Sequence, residues 1–196
     1  MLISEAHKAI FIHNQKTAGI SLSQALTTNG FQQDGHAHES AEEIMARGIV
    51  LQDYYSFGFV RNPWARLVSW YVMISSNPDA NHDIPFWNYH RGIKSFDDFL
   101  TRTDYITEHG YVQKSIVKPQ TAYFMRDGKL LVNQIFRYEQ LDQEVVVLEG
   151  RLGVKLPIPH LNKFKTYDYK EFYTPESREL VTRWYASDLE TFGYTF

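Results

Sequence analysis

Two segments of this sequence each run from a short apolar stretch, through a polar turn with a cationic residue, into an amphipathic stretch. In the first, HKAIFIHNQKTAGISLSQAL, residues 8–13 predict a buried strand and residues 20–28 predict a helix. In the second, YYSFGFVRNPWARLVSWY, residues 54–60 predict a buried strand, and Pro63 occupies a position favoured at the start of a helix. Because strands that alternate with helices typically build parallel sheets, we expect an α/β domain with a central parallel β-sheet flanked by helices.

The rest of the chain continues the alternation. Residues 40–47 and 96–100 predict two further helices. A helical face that ends before Gly153 consists of Leu141, Val145, Leu148 and Leu152. The last helix is predicted to begin at Thr174-Pro175-Glu176. Its buried face is expected to consist of Leu180, Val181, Trp184, Tyr185 and Leu189.

Chain length and turn signals limit the size of the sheet. Asp127-Gly128 predicts a turn between residues 123–125 and 130–136. With 196 residues, the chain is expected to form a single domain over residues 1–196. We expect a central sheet of about four or five strands in that domain.

Composition excludes several classes of function. The net charge is −3, so the broad basic surface of a nucleic-acid-binding protein is absent and any anion site must be local. The sequence has no cysteine, which excludes disulfides and thiolate metal sites. No apolar stretch approaches the ~20 residues that span a bilayer, and the first residues do not follow the pattern of a secretory signal. We therefore expect a soluble protein of the cytoplasm.

The turn of the first segment has the residue types of an anion site. Backbone N–H groups at the start of a helix favour anions, and Lys16 adds a full positive charge. Thr17 and Ser21 add hydroxyl donors, while Ala18 and Gly19 allow a ligand to approach the backbone closely. The turn lacks the upstream glycine of a Walker A loop. The alternative is an ordinary strand-to-helix turn with a solvated lysine.

The turn of the second segment offers another cation. Arg61 follows the predicted strand, where its guanidinium group can form a forked contact with a phosphate. Ser69 lies two helical turns further on, and Arg66 between them is expected to pair with acidic residues. The alternative is that Arg61-Asn62-Pro63 only caps a helix.

Together these motifs resemble those of a known family. Residues 12–21 follow the pattern His-Ile-Pro-Lys-Thr-Ala-Gly-Thr-Ser, and residues 59–69 follow Phe-Val-Arg-Asn-Pro-x-x-Arg-x-x-Ser. The similarity extends through Arg137-Tyr138-Glu139, Leu161-Asn162 and the tail YTPESRELVTRWYASDLETFGYTF. The chain thus resembles the bacterial carbohydrate sulfotransferases, related to the uronyl 2-O-sulfotransferases, which use 3′-phosphoadenosine 5′-phosphosulfate (PAPS). Asn14-Gln15 replaces the usual Ile-Pro, and Ile20 replaces a threonine.

The resemblance implies a role for each matching position. The residues it assigns to the 5′-phosphosulfate of PAPS are Lys16, Thr17, Ala18, Gly19, Ile20 and Ser21. It assigns Arg61 and Ser69 to the 3′-phosphate. It also implies that Asn162 and Lys163 help to close over the nucleotide.

The general base is expected in the segment between the two turns. The related 2-O-sulfotransferases carry a His-x-His segment here whose second histidine is the base, which implies His38. If the segment is extended, His36 faces the same side and is expected to support either His38 or the substrate. Glu39 is the reserve candidate, and His13 ends the first strand and can also face the site. A metal site needs a third ligand, which the sequence does not indicate, and surface histidines without a role are common.

These assignments predict an enzyme that transfers a sulfuryl group from PAPS to a hydroxyl group, expected to belong to a carbohydrate, without a metal. The resemblance implies a phosphate loop and fold like those of P-loop nucleotide kinases. Acceptor contacts are expected from residues 75–90, including Trp87, and from residues 105–121. The oligomeric state is not indicated. The alternatives are a small-molecule kinase, which would need Mg²⁺ ligands and a Gly-rich loop, and a nucleotide-binding protein without catalysis.

Overall fold

A computed structural model describes residues 1–76, 91–108, 116–158 and 168–196, with the side chains of residues 104–108 excepted. These residues form two compact units. The first unit comprises Met1–Arg61 and Gln120–Phe164, and the second comprises Asn62–Pro119 and Lys165–Phe196. Within the described ranges, no helix combines the length and the apolar character needed to cross a membrane.

The first unit is built on a mixed five-stranded sheet. The described strands are β1 (Leu2–Ser4), β2 (Ala9–Ile12), β3 (Gln32–Gln33), β4 (Tyr55–Val60), β5 (Met125–Arg126), β6 (Lys129–Leu130) and β7 (Gln134–Arg137). The order of the strands in the five-stranded sheet is β3-β1-β2-β4-β7. Strands β2, β4 and β7 are parallel, with Ile12 opposite Gly58 and Val60 opposite Arg137. Strands β5 and β6 form a separate hairpin.

The prediction of a wholly parallel sheet is wrong at one edge. Strand β1 pairs antiparallel with both β2 and β3. Only four residues connect Ser4 to Ala9, and a connection that short permits only antiparallel pairing, since a parallel crossover needs a dozen or more residues. The three residues of β1 and the two polar residues of β3 were too few to predict from hydrophobic periodicity.

The helices follow one another along the chain in the expected order. The described α-helices are α1 (Gly19–Thr27), α2 (Ala41–Ala46), α3 (Pro63–Ser75), α4 (Phe96–Glu108), α5 (Thr121–Phe124), α6 (Leu141–Leu152), α7 (Pro175–Trp184) and α8 (Ala186–Phe192). Short 3₁₀ turns occupy Leu51–Asp53, Tyr138–Gln140 and Tyr169–Phe172. The predictions for α1, α2 and α6 are confirmed to within a residue or two at each end, and α3 begins at Pro63 as predicted.

The core of the first unit lies between the sheet and its helices. Phe11, Phe57 and Phe136 from the three parallel strands are all 0% exposed. They pack in one cluster with Leu22 of α1 and Leu148 of α6. Because helices cover the central strands, β2 and β4 consist almost entirely of buried residues, which explains their continuous apolar sequence.

The second unit has its own aromatic core. Trp64 and Trp70 of α3 pack with Phe99 of α4 and with Tyr185, which follows α7. The sequence predicted a single last helix, but the structure has two, because the backbone leaves the helical region at Tyr185 (φ −114°) and α8 starts afresh. Tyr185 is nevertheless fully buried, as the periodicity predicted.

Two other predictions are confirmed in part. Asp127-Gly128 forms the turn between β5 and β6, but that hairpin is only two residues long on each side. Residues 121–124 are helical, and β7 joins the main sheet instead of the hairpin. Gly153 ends α6 in the left-handed conformation (φ 70°), as predicted.

Candidate functional site

Three parallel strands of the first unit end at the same edge of the sheet. Their last residues are Ile12 of β2, Val60 of β4 and Arg137 of β7. Ligands of open α/β sheets bind beyond the carboxyl ends of parallel strands. The loops that follow these strands therefore make up the candidate site, and they contain Lys16, Arg61 and Tyr138.

The loop after β2 presents an uncapped helix start. Helix α1 follows Ala18, whose side chain makes no capping hydrogen bond, and its first turn contains no acidic residue. Ala18 (φ 62°) and Lys16 (φ 66°) both adopt the left-handed conformation, which costs about 1–3 kcal/mol for a non-glycine residue. An anion at the helix start would accept hydrogen bonds from the N–H groups of the first turn and offset this strain.

The predicted hydroxyl donors of this loop differ in their surroundings. The Thr17 hydroxyl is fully buried and donates to the main-chain carbonyl of Asn14 (2.8 Å). Its proton therefore closes the loop instead of pointing to a ligand. Ser21 lies in the first turn of α1 and is 7% exposed, whereas Ile20 beside it is 63% exposed.

Gly19 is required by a side chain of the protein itself. A Cβ atom added to Gly19 would lie 1.6 Å from Nε2 of His13. The imidazole of His13 thus packs directly against the first residue of α1. The sequence predicted a glycine that allows a ligand to approach, and the structure adds the need to accommodate His13.

Arg61 joins the loop after β4 to the loop after β2. Its Nη1 donates to the main-chain carbonyl of Lys16 (3.2 Å), and its guanidinium carbon lies 4.3 Å from the ring centroid of Tyr138. The stacked ring and the carbonyl fix the orientation of the guanidinium plane. The side chain of Arg61 therefore contacts the main chain of the loop that contains Lys16.

The main chain of Arg61 is held by a residue that no sequence motif indicated. The side chain of Gln120 accepts from the Arg61 N–H (2.9 Å) and donates to the Arg61 carbonyl (2.7 Å). It also accepts from Nδ2 of Asn14 (2.9 Å). Gln120 is far from both turns in the chain and has neighbours of mixed polarity, so only the folded structure reveals this contact.

His38, the predicted base, lies against His13. The two ring centroids are 4.5 Å apart, and Nδ1 of His38 is 3.1 Å from the main-chain carbonyl of His13. Since a carbonyl oxygen only accepts, Nδ1 must carry the proton of this hydrogen bond. The neutral ring of His38 then has its lone pair on Nε2, the form that a general base requires.

Burial keeps this pair of histidines neutral. Partial burial lowers the pKa of His38 below its usual 6.5, although the hydrogen bond to the His13 carbonyl acts in the opposite direction. Burial lowers the pKa of His13 further, to about 3, with the positive form of His38 as a smaller cause. Both rings are therefore uncharged at neutral pH, when a base must be able to accept a proton.

His36 is predicted to support His38, and Glu39 is the reserve candidate for the base. Ala37 and His38 form a turn and His36 lies outside any strand, so the expectation that His36 and His38 share a strand face is wrong. His36 has an exposed side chain, and its carbonyl accepts from the Met1 amino group. Glu39 is buried and accepts a hydrogen bond from Nη1 of Arg47 (2.6 Å), with which it forms an ion pair.

The second unit contains the rest of the Arg61-Asn62-Pro63 motif. Asn62 caps α3, since its side-chain oxygen accepts from the N–H groups of Trp64 (3.1 Å) and Ala65 (3.3 Å). Ser69 is half-buried on α3. Arg66 is fully buried, and its Nη1 donates to the carbonyl of Lys118 (3.4 Å).

Several predicted residues lie outside the described residues. These are Asn162, Lys163 and Trp87, together with most of the two segments expected to contact the acceptor. Across the described parts of the chain, no group of three or more His, Cys, Asp or Glu side chains is arranged to hold a metal ion.

Comparison with known proteins gives one match. The family model described as the Sulfotransferase family matches residues 1–195. No curated protein and no solved structure matches the chain.

Proposed function

This chain belongs to the sulfotransferase family and is a sulfotransferase, and we propose that it transfers a sulfuryl group from PAPS to a hydroxyl group of a carbohydrate. The observation that carries the proposal is the arrangement of His38 beside the cationic loop. Its Nδ1 is bound to the His13 carbonyl, and the His13 ring packs on Gly19 at the start of α1. The proposed base, His38, is thereby connected through His13 to the start of α1, where the proposed anion site lies.

The proposed donor site is the loop between β2 and α1. Its uncapped N–H groups and the ammonium group of Lys16 bind the 5′-phosphosulfate. Arg61 binds the 3′-phosphate, for which its stacking on Tyr138 and its contact with the Lys16 carbonyl orient it. The resemblance to known sulfotransferases adds Ser69 to the 3′-phosphate site and Ser21 to the phosphosulfate site.

In the proposed reaction, His38 removes a proton from the acceptor. The acceptor oxygen attacks sulfur in line and forms the new O–S bond, while its proton moves to Nε2 of His38. The bond between sulfur and the bridging oxygen of the 5′-phosphate breaks, which releases adenosine 3′,5′-bisphosphate. Lys16 and the loop N–H groups stabilise the negative charge that develops on that oxygen. His36 is proposed as a supporting residue on the strength of the resemblance alone.

In phosphoryl transfer, Mg²⁺ neutralises the negative charge of the transferred group. Lys16 and Arg61 are proposed to supply this positive charge, so the proposed reaction requires no metal. From the resemblance to known sulfotransferases we propose a fold related to that of P-loop kinases, and from the composition we propose a location in the cytoplasm. The acceptor segments expected at residues 75–90 and 105–121 are proposed to contact the carbohydrate and to determine which one is bound.

The proposal is tested by transfer from ³⁵S-labelled PAPS to a panel of saccharides, with phenols and amines as other acceptors. We expect labelled product with at least one saccharide and the same rate after EDTA treatment. Transfer to phenols alone would show that the carbohydrate assignment is wrong while leaving the chemistry intact. Turnover of ATP that depends on Mg²⁺ would favour a kinase, and binding of the bisphosphate without any transfer would favour a non-catalytic protein.

A further inference from the structure

Two buried amide side chains connect the main chains of the two cationic loops. Gln120 and Asn14 are both 0% exposed, and Nδ2 of Asn14 donates to Oε1 of Gln120 (2.9 Å). Asn14 lies two residues before Lys16, and Gln120 bonds to both main-chain polar groups of Arg61. Asn14 also donates to the carbonyl of Phe59, in the strand that leads to Arg61 (3.2 Å).

The side chain of Gln120 forms the hydrogen bonds with Arg61 that an adjacent β-strand would otherwise form. Gln120 offers one acceptor and one donor to the N–H and C=O groups of a single residue, as an adjacent β-strand would. This contact lies directly after Val60, where β4 ends. The backbone of Arg61 is therefore held in a fixed position at the point where its side chain leaves the sheet.

Asn14 provides the connection to the other loop. Its Nδ2 atom makes the two contacts with Gln120 and Phe59, and the Thr17 hydroxyl closes on its carbonyl. Asn14 therefore forms a polar link between the two loops.

We propose that Gln120, with Asn14, is a positioning residue that holds Arg61 and the Lys16 loop at the spacing between the 3′-phosphate and the 5′-phosphosulfate. This inference rests on the proposed function. It concerns two amides that never touch the nucleotide. They determine whether the two cations bind the nucleotide together. Exact placement matters in such sites, because a displacement of about 1 Å can lower the reaction rate by about 10²-fold.

The test compares affinities for adenosine 3′,5′-bisphosphate and for AMP by calorimetry. Gln120→Met keeps the length of the side chain and removes both polar atoms. We expect it to lower bisphosphate affinity by about tenfold or more, the size of one charge-assisted contact, and AMP affinity much less. Asn14→Leu should have a smaller effect in the same direction, since Gln120 keeps its contacts with Arg61.

The matched control is Asn133→Leu. Asn133 holds the opposite end of the same strand, where its Oδ1 accepts from the N–H (2.8 Å) and hydroxyl (3.0 Å) of Ser56. It should lower the melting temperature without changing the ratio of the two affinities. This separates the positioning role from a general loss of stability.

The double variant Asn14→Leu/Gln120→Met measures the link between the loops. If the amides act together, its effect on bisphosphate affinity should be smaller than the product of the two single effects. It also avoids leaving the Asn14 amide without its partner, so it remains informative if Gln120→Met alone does not fold.

The outcomes separate the two proposals. A wild-type protein with no preference for the bisphosphate over AMP would overturn the proposed function, and the positioning role with it. A wild-type preference that survives in Gln120→Met and in the double variant would overturn the positioning role alone. Equal losses for both nucleotides would assign Gln120 to stability only.

Discussion

Nδ1 of His38 donates a hydrogen bond to the main-chain carbonyl of His13 over 3.1 Å. This single contact fixes the tautomer of His38 and leaves Nε2 as the basic atom. The ring of His13 at the same time packs on Gly19, so the histidine that orients the base also contacts the start of α1.

His38→Ala should lower turnover by about 10²–10⁴, the usual contribution of a general base, with bisphosphate affinity nearly unchanged. The reason is that His38 is proposed to contact only the acceptor hydroxyl. Steady-state rates with labelled PAPS and calorimetry with the bisphosphate measure the two effects. His7→Ala is the control, because the His7 ring stacks on Phe31 (5.7 Å) and has no proposed role. Normal turnover in His38→Ala but not in His36→Ala or Glu39→Ala would mean that the base is misassigned.

The rate should fall in acid with a midpoint below pH 6.5. Burial lowers the pKa of His38 from that value, and the base acts only when neutral. Activity is therefore present above the lowered pKa and is lost as the pH falls through it. The pH profile of kcat/KM reports this midpoint for the enzyme without bound substrate. A midpoint clearly above 6.5 would contradict the assignment, and the same profile in Arg151→Met serves as the control.

Lys16→Ala should weaken nucleotide binding and slow turnover together. Lys16 is proposed to contact the phosphosulfate in the ground state and the bridging oxygen as charge develops in the transition state. Loss of one charge-assisted contact corresponds to about 1.5–3 kcal/mol in binding. Lys155→Ala removes an exposed lysine that pairs with Glu149 (2.7 Å) and should change neither property. A Lys16→Ala enzyme that binds normally would exclude Lys16 from the donor site.

Arg61→Met should remove most of the preference for adenosine 3′,5′-bisphosphate over AMP. We expect this preference to exceed about tenfold in the wild type, since a charge-assisted pair contributes about 1.5–3 kcal/mol. Competition between the two nucleotides measures it directly. Arg151→Met is a close control, because Arg151 also stacks on a tyrosine, with its guanidinium carbon 4.8 Å from the Tyr55 ring centroid. Loss of the preference in Arg151→Met as well would mean that Arg61 has no specific role.

His13 should make the fold sensitive to acid. Its pKa is about 3 in the folded protein and 6.5 without burial, so the unfolded chain binds more protons between these values. Its contribution to the free energy of unfolding is complete above pH 6.5 and is lost as the pH falls toward about 3. Melting temperatures between about pH 4.5 and 7 should therefore change less in His13→Gln than in the wild type. His7→Gln is the control, and equal pH dependence in all three proteins would contradict this prediction.

Local patterns in the sequence determined the strand–turn–helix units and the placement of their cations. The apolar runs of β2 and β4, Pro63 at the start of α3 and Gly153 after α6 all act within a few residues. Because parallel strands end at one edge of a sheet, the loops that contain Lys16 and Arg61 lie at the same edge. The family itself followed from the same two motifs.

Contacts between distant parts of the chain were decided only by the tertiary structure. Gln120 bonds to Arg61 and Asn14, and His38 bonds to His13. These residues lie far apart in the chain, and hydrophobic periodicity predicts only local structure. The same holds for Thr17, whose hydroxyl the motif predicted to face a ligand but whose burial directs it to the Asn14 carbonyl. A buried polar group must find a partner, and the fold alone determines which partner is within reach. The sequence therefore specified which residues carry the charge, and packing specified how they are held and which atom of His38 can accept a proton.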